Sequence, residues 1–136
     1  MKLFTNKGLR IGLGIRGIIG ALIIGFLCLY QPIFGNTSSH FWAKILLFLA
    51  AVAYVAFSLI WDRKFLALTN FQLIAAVLIL GISAVTEKIL FVALGLFLHA
   101  IWDLWHLATE KRYVPWWYAG ACVYVDLAAV ILIVLN

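Results

Sequence analysis

The chain consists of long apolar stretches joined by short polar connections. Five stretches have about the 20 apolar residues that a helix needs to cross a hydrocarbon layer of about 30 Å. They run from Ile11 to Gln31, Phe41 to Trp61, Phe65 to Val85, Ile89 to Ala108 and Trp116 to Leu135. Thr69, Asn70 and Gln72 interrupt the third stretch early, so four spans with one interfacial segment is the alternative. The pattern predicts an all-α, polytopic membrane bundle of about five transmembrane helices.

Composition supports the membrane assignment. The 136 residues are 67% hydrophobic and 11% charged, whereas a soluble domain would have about 25% charged residues. A chain this short could not bury so much apolar surface in one core. We therefore expect residues 1–136 to form a single transmembrane domain in the lipid bilayer.

The positive charges predict how the bundle is oriented. With five spans and a cytoplasmic N-terminus, the inner side receives Lys2, Lys7, Arg10, Arg63, Lys64, Lys111 and Arg112. The outer side receives only Lys44 and Lys88, which is the usual positive-inside bias. We expect the protein in the bacterial cytoplasmic (inner) membrane. The net charge of +5 then reflects topology and anionic lipid, and no nucleic-acid partner is implied.

Small residues recur every four positions on the first predicted helix. Gly17, Ala21 and Gly25 share one face, and small residues at this spacing let another helix approach closely. We expect this face to pack against another helix. That helix belongs either to the same chain, to a second copy in a homo-oligomer, or to a larger membrane complex.

Four ionisable residues lie inside the last two apolar stretches. At about 100° per residue, His99, Asp103 and His106 fall within about 60° of one helix face, and Asp126 lies near the middle of the following span. Each such group costs about 2.5–3.5 kcal/mol at the bilayer centre. The short connection with Pro115 at the start of the last helix predicts that Asp126 faces His99. The cluster predicts a functional site.

Other polar residues occur mainly in the inner half of the predicted spans. This inner-half set consists of Tyr54, Ser58, Asn70, Gln72 and Arg16. The outer half is almost entirely apolar. This distribution predicts a polar cavity that opens toward the cytoplasm.

Metal binding is the first chemical hypothesis for the ionisable cluster. Imidazole nitrogens and carboxylate oxygens suit zinc or iron, and the candidate ligands are His99, Asp103, His106 and Asp126. A bound metal would lower the pKa of its water and create a nucleophile inside the membrane. The two aspartates are then the candidate catalytic residues of a membrane hydrolase, with Cys122 as a further ligand one turn from Asp126.

Two alternatives use the same residues without metal. In one, His99 and Asp126 carry protons, and the protein translocates protons or another cation. In the other, Arg16 neutralises Asp103 and His99 hydrogen-bonds to Asp126, so that the ionisable groups only tie helices together. The protein would then be a non-catalytic accessory subunit, or a lipid- or pigment-binding subunit, of a larger membrane complex.

About the last 40 residues resemble a small, uncharacterised family of bacterial integral membrane proteins. The resemblance lies in the string from His99 to His106, HAIWDLWH, followed by VPWWY from Val114, then Cys122 and Asp126. It implies a membrane protein without assigning an activity. The chain is also loosely similar to membrane hydrolases related to alkaline ceramidases, whose zinc sites use intramembrane histidines and an aspartate. Those proteins have seven spans and a paired-histidine motif that this chain lacks.

Overall fold

A computed structural model of the protein describes residues 6–34 and 39–135. In that part of the chain the regular structure is helical and contains no strand, which confirms the all-α prediction. The helices are α1 (Lys7–Gly12), α2 (Ile15–Phe34), α3 (Ser39–Trp61), α4 (Leu66–Thr86), α5 (Leu90–Ala108) and α6 (Trp116–Leu135), with a 3-10 turn at Arg63–Phe65.

Four helices are long and apolar enough to cross a membrane, among the described residues. The qualifying segments are His40–Trp61, Arg63–Thr86, Leu90–Ala108 and Trp116–Leu135, whereas Ile15–Phe26 in α2 is a shorter apolar segment. By length and composition, these four helices are therefore suited to cross a membrane, and the count of five spans stays a prediction.

The polar residues near the start of α4 do not interrupt it. The Thr69 hydroxyl donates to the carbonyl oxygens of Phe65 and Leu66, each at 3.2 Å, and lies 2.9 Å from the Ser58 hydroxyl on α3. These contacts satisfy a hydroxyl group that has no access to water. The predicted third stretch is therefore a continuous helix.

The predicted first span differs from the structure at its start. A helix from Ile11 is expected, but α1 ends at Gly12 and α2 begins at Ile15. The break lies where the backbone of Gly12 touches two other glycines. A Cβ atom on Gly17 or on Gly120 of α6 would lie only 1.7 Å from the Gly12 carbonyl oxygen. This close approach requires glycine at both positions.

The face of small residues on α2 has a partner within the chain along part of its length. Gly17 is buried next to Gly120, and a Cβ atom on Gly20 would lie 3.1 Å from the Ala121 side chain. Gly25 has no atom within 4 Å of the equivalent position. The Gly17 end of the predicted face therefore packs on α6, and contact of the remainder with a second copy stays a prediction.

Three polar segments meet at one end of the bundle. The Asn6 amide donates to the Ala108 carbonyl oxygen at 2.8 Å, and the Lys7 backbone N–H donates to Glu110 at 3.0 Å. The Phe65 ring stacks on Tyr113 with centroids 4.4 Å apart. The segment before α1, the turn between α3 and α4, and the loop between α5 and α6 are thereby joined at this end.

Candidate metal centre

His99, Asp103 and Asp126 meet in the interior of the bundle. His99 is the middle residue of α5 and Asp103 lies one turn further along the same face. The short loop after α5 makes α6 antiparallel to it, which brings Asp126 opposite His99 as the sequence predicts. The His99 Nδ1 atom lies 2.7 Å from Asp126 Oδ2 and 3.2 Å from Asp103 Oδ2. One imidazole nitrogen thus contacts two carboxylates.

The cluster is fully enclosed by the protein. His99 is 4% exposed and both aspartates are 0% exposed. Burial without water makes an uncompensated charge expensive, so buried carboxylates normally have a cation or hydrogen-bond donors next to them. The ion pairs that these two carboxylates form among the described residues are both with His99.

The donors present do not satisfy both carboxylates. Nδ1 of His99 carries at most one proton, so it donates to one aspartate at a time. Asp103 Oδ2 and Asp126 Oδ1 have no hydrogen-bond partner in the described part of the chain. With both aspartates ionised, the cluster has two negative charges and at most one positive charge. The donor set and its charge therefore fit a divalent cation.

Tyr54 connects α3 to the cluster. Its side chain is completely buried, and its hydroxyl donates a hydrogen bond to Asp103 Oδ1. The Tyr54 ring also makes an edge contact with the His99 ring, with centroids 5.5 Å apart. The sequence indicates Tyr54 only as a polar residue of the inner half. A tyrosine within an apolar span indicates a buried hydroxyl that needs a partner. The sequence does not identify that partner, because it depends on how α3 is rotated against α5.

His106 lies outside the group of close ligand atoms. That group contains His99, Asp103 and Asp126, whose ligand atoms all lie within 4.8 Å of one another. Seven residues separate the two histidines on α5, which corresponds to about 10 Å along the helix axis. The structure therefore brings together three of the four proposed ligands and holds His106 apart from them.

Both ring nitrogens of His106 have other partners. Nδ1 lies 2.9 Å from the Trp102 carbonyl oxygen, and Nε2 hydrogen-bonds to the Tyr113 hydroxyl. Burial, and secondarily the charge of Asp103, raises the pKa of Tyr113 above its ordinary value, so the phenol keeps its proton. The Tyr113 hydroxyl can then donate to Nε2 while Nδ1–H donates to the Trp102 carbonyl. This arrangement ties the end of α5 to the loop that follows it.

Two further expectations for the site differ from the structure. Arg16 is exposed on α2 while Asp103 is buried and paired with His99, so the structure does not bring Arg16 and Asp103 together as a neutralising pair. Cys122 is buried one turn before Asp126 but is not part of the ligand group.

The polar residues of the inner half do not line one common cavity. The Ser58 and Thr69 hydroxyls hydrogen-bond to each other, while the Arg16 and Asn70 side chains are exposed on the surface of the bundle. These residues lie at similar depth but face different directions, because depth does not specify how each helix is rotated about its axis. What the structure has instead is a small pocket of about 130 Å³ beside His99, which Gln72 also lines. A larger apolar groove of about 830 Å³ lies elsewhere, between α2, α3 and α6.

Comparison with models of protein families, with curated proteins and with solved structures finds no match for this chain. The resemblance to an uncharacterised bacterial membrane family and to ceramidase-like hydrolases therefore stays a prediction. The apolar helical bundle carries a buried His/Asp cluster of a composition that could hold a metal ion.

Proposed function

We propose that this protein binds a divalent metal ion, zinc or iron, within the membrane through His99, Asp103 and Asp126. The observation that carries the proposal is that one ligand atom from each residue lies within 4.8 Å of the others, in a fully buried cluster. A histidine nitrogen with two carboxylate oxygens is a ligand set that both metals accept. A bound cation also supplies the positive charge that balances the two buried aspartates.

The number of ligands suits a catalytic rather than a purely structural site. Three protein ligands leave one position for water or substrate, whereas structural zinc sites are normally closed by four. The Tyr54 hydroxyl holds the carboxylate of Asp103 from the side of α3, and hydrogen bonds of this kind orient metal ligands. When bound, the metal would lower the pKa of a coordinated water and so supply a nucleophile for hydrolysis. Asp126 Oδ1, which has no hydrogen-bond partner, is the candidate proton acceptor.

We further propose that the bundle spans the bacterial inner membrane five times, with its N-terminus in the cytoplasm. Support comes from the end of the bundle at which the three polar segments meet. Helix α1 carries Lys7 and Arg10 at this end, and the two connecting segments carry Arg63, Lys64, Lys111 and Arg112. Lys64 and Lys111 both lie over the Phe65 ring, at 5.4 and 5.1 Å from its centroid. Clustered cations with interfacial aromatic rings are typical of the cytoplasmic boundary.

The experiment that tests metal binding is elemental analysis of protein purified in detergent without chelators. We expect near-stoichiometric zinc or iron in the wild type and its loss in His99→Ala and Asp126→Ala. Two residues of the same types outside the cluster provide matched controls, because His40→Ala at an exposed position and Asp62→Ala at a partly exposed one should retain the metal. Elution as a single folded species on size exclusion separates loss of metal from loss of fold.

A metal-free wild type would contradict the proposal and leave the accessory-subunit alternative and a second candidate function, proton or cation movement. The observation behind that second candidate is the continuous chain of contacts from the Tyr54 hydroxyl through Asp103 and His99 to Asp126. Such a chain of titratable groups can carry a proton between helices. Tolerance of both alanine variants, with co-purifying proteins, would instead support the accessory-subunit alternative.

A further inference from the structure

The small pocket beside the cluster is bounded by three side chains with unpartnered polar atoms. It lies between α3, α4 and α5 and has a volume of about 130 Å³. Gln72, His99 and Trp102 line it. Both polar atoms of the Gln72 amide, the His99 Nε2 atom and the Trp102 Nε1 atom are buried without a hydrogen-bond partner. Buried polar groups in proteins are nearly always hydrogen-bonded, so three such residues at one pocket indicate a ligand.

The remaining walls of the pocket are apolar. Leu47, Ala75, Ala76 and Ile79 are among them. The two outermost lining residues, Phe71 and Leu98, are 67% and 48% exposed on the lipid-facing surface between α4 and α5. The pocket therefore lies directly beneath a surface that contacts hydrocarbon. A ligand that reaches it from the bilayer has to be lipid-soluble.

Hydrogen-bond donors outnumber acceptors around the pocket. The Trp102 indole and the Gln72 amide both offer N–H groups. The His99 Nε2 atom also carries a proton whenever Nδ1 binds a metal ion, because a neutral imidazole then has its only N–H on the other nitrogen. The complementary ligand group is an oxygen that accepts hydrogen bonds without carrying a charge, and a carbonyl oxygen is such a group.

The depth of the pocket restricts where that carbonyl comes from. Gln72 and Trp102 each lie six residues from the end of their helix at the cation-rich side, which is about 9 Å along the axis, and His99 lies about 13 Å in. The pocket volume of about 130 Å³ equals that of about four water molecules. It therefore accommodates a small polar group, such as a ring with carbonyl oxygens or one ester linkage, and leaves any long apolar tail in the bilayer.

We propose that this pocket binds the carbonyl group of a lipid-soluble molecule, next to the metal site and on the Nε2 side of His99. The inference deepens the proposed function. It rests on the metal only in that metal binding at Nδ1 makes the His99 Nε2 atom a hydrogen-bond donor. Two sources share this chemistry: a quinone, whose ring carbonyls reside within the hydrocarbon, and the acyl ester of a membrane lipid.

The test is calorimetric titration of the detergent-purified protein with two separate probes, decylubiquinone and dioctanoylglycerol. Binding of the first alone assigns the quinone source, binding of the second alone assigns the ester source, and binding of both supports the shared carbonyl chemistry. If neither probe binds, water alone fills the pocket and the proposal is overturned.

Substitutions inside and outside the pocket locate the binding. Gln72→Leu removes the amide and Ala75→Leu fills the volume, and each should weaken probe binding roughly tenfold or more. The matched controls on α4 are Asn70→Leu and Ala67→Leu, whose positions are exposed, and they should stay within about twofold. Equal losses in controls and pocket variants would overturn the assignment.

Metal content, measured on the same samples, keeps this proposal separate from the proposed metal site. Gln72→Leu and Ala75→Leu should retain the metal while losing the probe. A wild type that binds a probe but holds no metal would reject the metal centre and leave the pocket supported. A wild type that holds metal but binds neither probe would reject the pocket proposal and leave the metal centre supported.

Discussion

The Nδ1 atom of His99 lies 2.7 Å from Oδ2 of Asp126, and this contact joins the middle of α5 to α6 in the buried interior of the bundle. A buried ion pair of this kind contributes little net stability compared with apolar residues of similar size. Removing one partner alone is costly, because it leaves the other group buried without compensation. The relationship therefore has a measurable energetic signature.

We expect His99→Leu and Asp126→Leu each to lower the free energy of unfolding by about 3–5 kcal/mol. The double variant should lose less than the sum of the two, because it leaves no unpaired partner at that contact. The measurement is reversible unfolding in mixed detergent micelles, analysed as a double-mutant cycle. Addition of a chelator should destabilise the wild type and leave the double variant unchanged. Simple additivity would mean that the two residues do not act on each other.

Tyr54 should control metal affinity through Asp103 without touching the metal. Tyr54→Phe removes only the hydroxyl that donates to Asp103 Oδ1. Loss of a hydrogen bond to a ligating carboxylate typically weakens metal binding about 10- to 100-fold. A competition titration with a zinc chelator measures this change. The matched control is Tyr124→Phe, which removes a hydroxyl that donates to the Leu13 carbonyl oxygen at 2.5 Å from a side chain 37% exposed on α6, outside the cluster. Equal affinities for the two variants would exclude the orienting role of Tyr54.

His106 should contribute to stability but not to metal binding. In His106→Phe an aromatic ring remains while both hydrogen bonds, to Trp102 and Tyr113, are lost. Leaving these buried partners unsatisfied should cost about 1–3 kcal/mol. The metal content should stay at the wild-type level, because the ring nitrogens already bond to groups outside the ligand cluster. Loss of metal with an unchanged unfolding transition would return His106 to the ligand set that the sequence predicts.

Helix periodicity predicted part of the site, and the limits of that prediction are physical. The spacing of His99 and Asp103, with a short loop before α6, was sufficient to bring both residues and Asp126 together. Angular position alone also placed His106 among the ligands, because a helical wheel shows which face a residue is on but not how far along the axis it lies. The contacts of Tyr54 and Gln72 with the site were not predicted, because the lipid-facing and buried faces of a span are both apolar. The sequence therefore carries little information about how α3 and α4 are rotated.

The helix pattern had a similar limit at the start of the chain. Apart from Arg16, the residues that follow Ile11 are apolar or glycine, and such a run predicts a continuous span. The break after Gly12 coincides with the close approach of its backbone to Gly120, more than a hundred residues away. Glycines in a membrane helix indicate close packing in general, but only the three-dimensional structure specifies which backbones meet.

The orientation of the bundle can be tested with single cysteines. In a chain with Cys28 and Cys122 replaced by alanine, Lys64→Cys and Lys88→Cys introduce exposed thiols at opposite ends of α4. We expect a membrane-impermeant maleimide to label position 88 on intact cells, and position 64 only in inverted vesicles. The reversed pattern would place the cation-rich end outside the cell.

The contact between Gly12 and Gly120 predicts a large difference between two glycine substitutions. A Cβ atom at position 120 would lie 1.7 Å from the Gly12 carbonyl oxygen, and both atoms belong to backbone that cannot move independently. Gly120→Ala should therefore force α1 away from α6 and destabilise the protein by about 1–3 kcal/mol or more. Gly25→Ala is the matched control, since its Cβ atom would meet nothing within 4 Å. Thermal unfolding followed by circular dichroism compares them. Because Asp126 lies on the same helix less than two turns from Gly120, a displaced α6 should also lose metal, whereas Gly25→Ala should keep it.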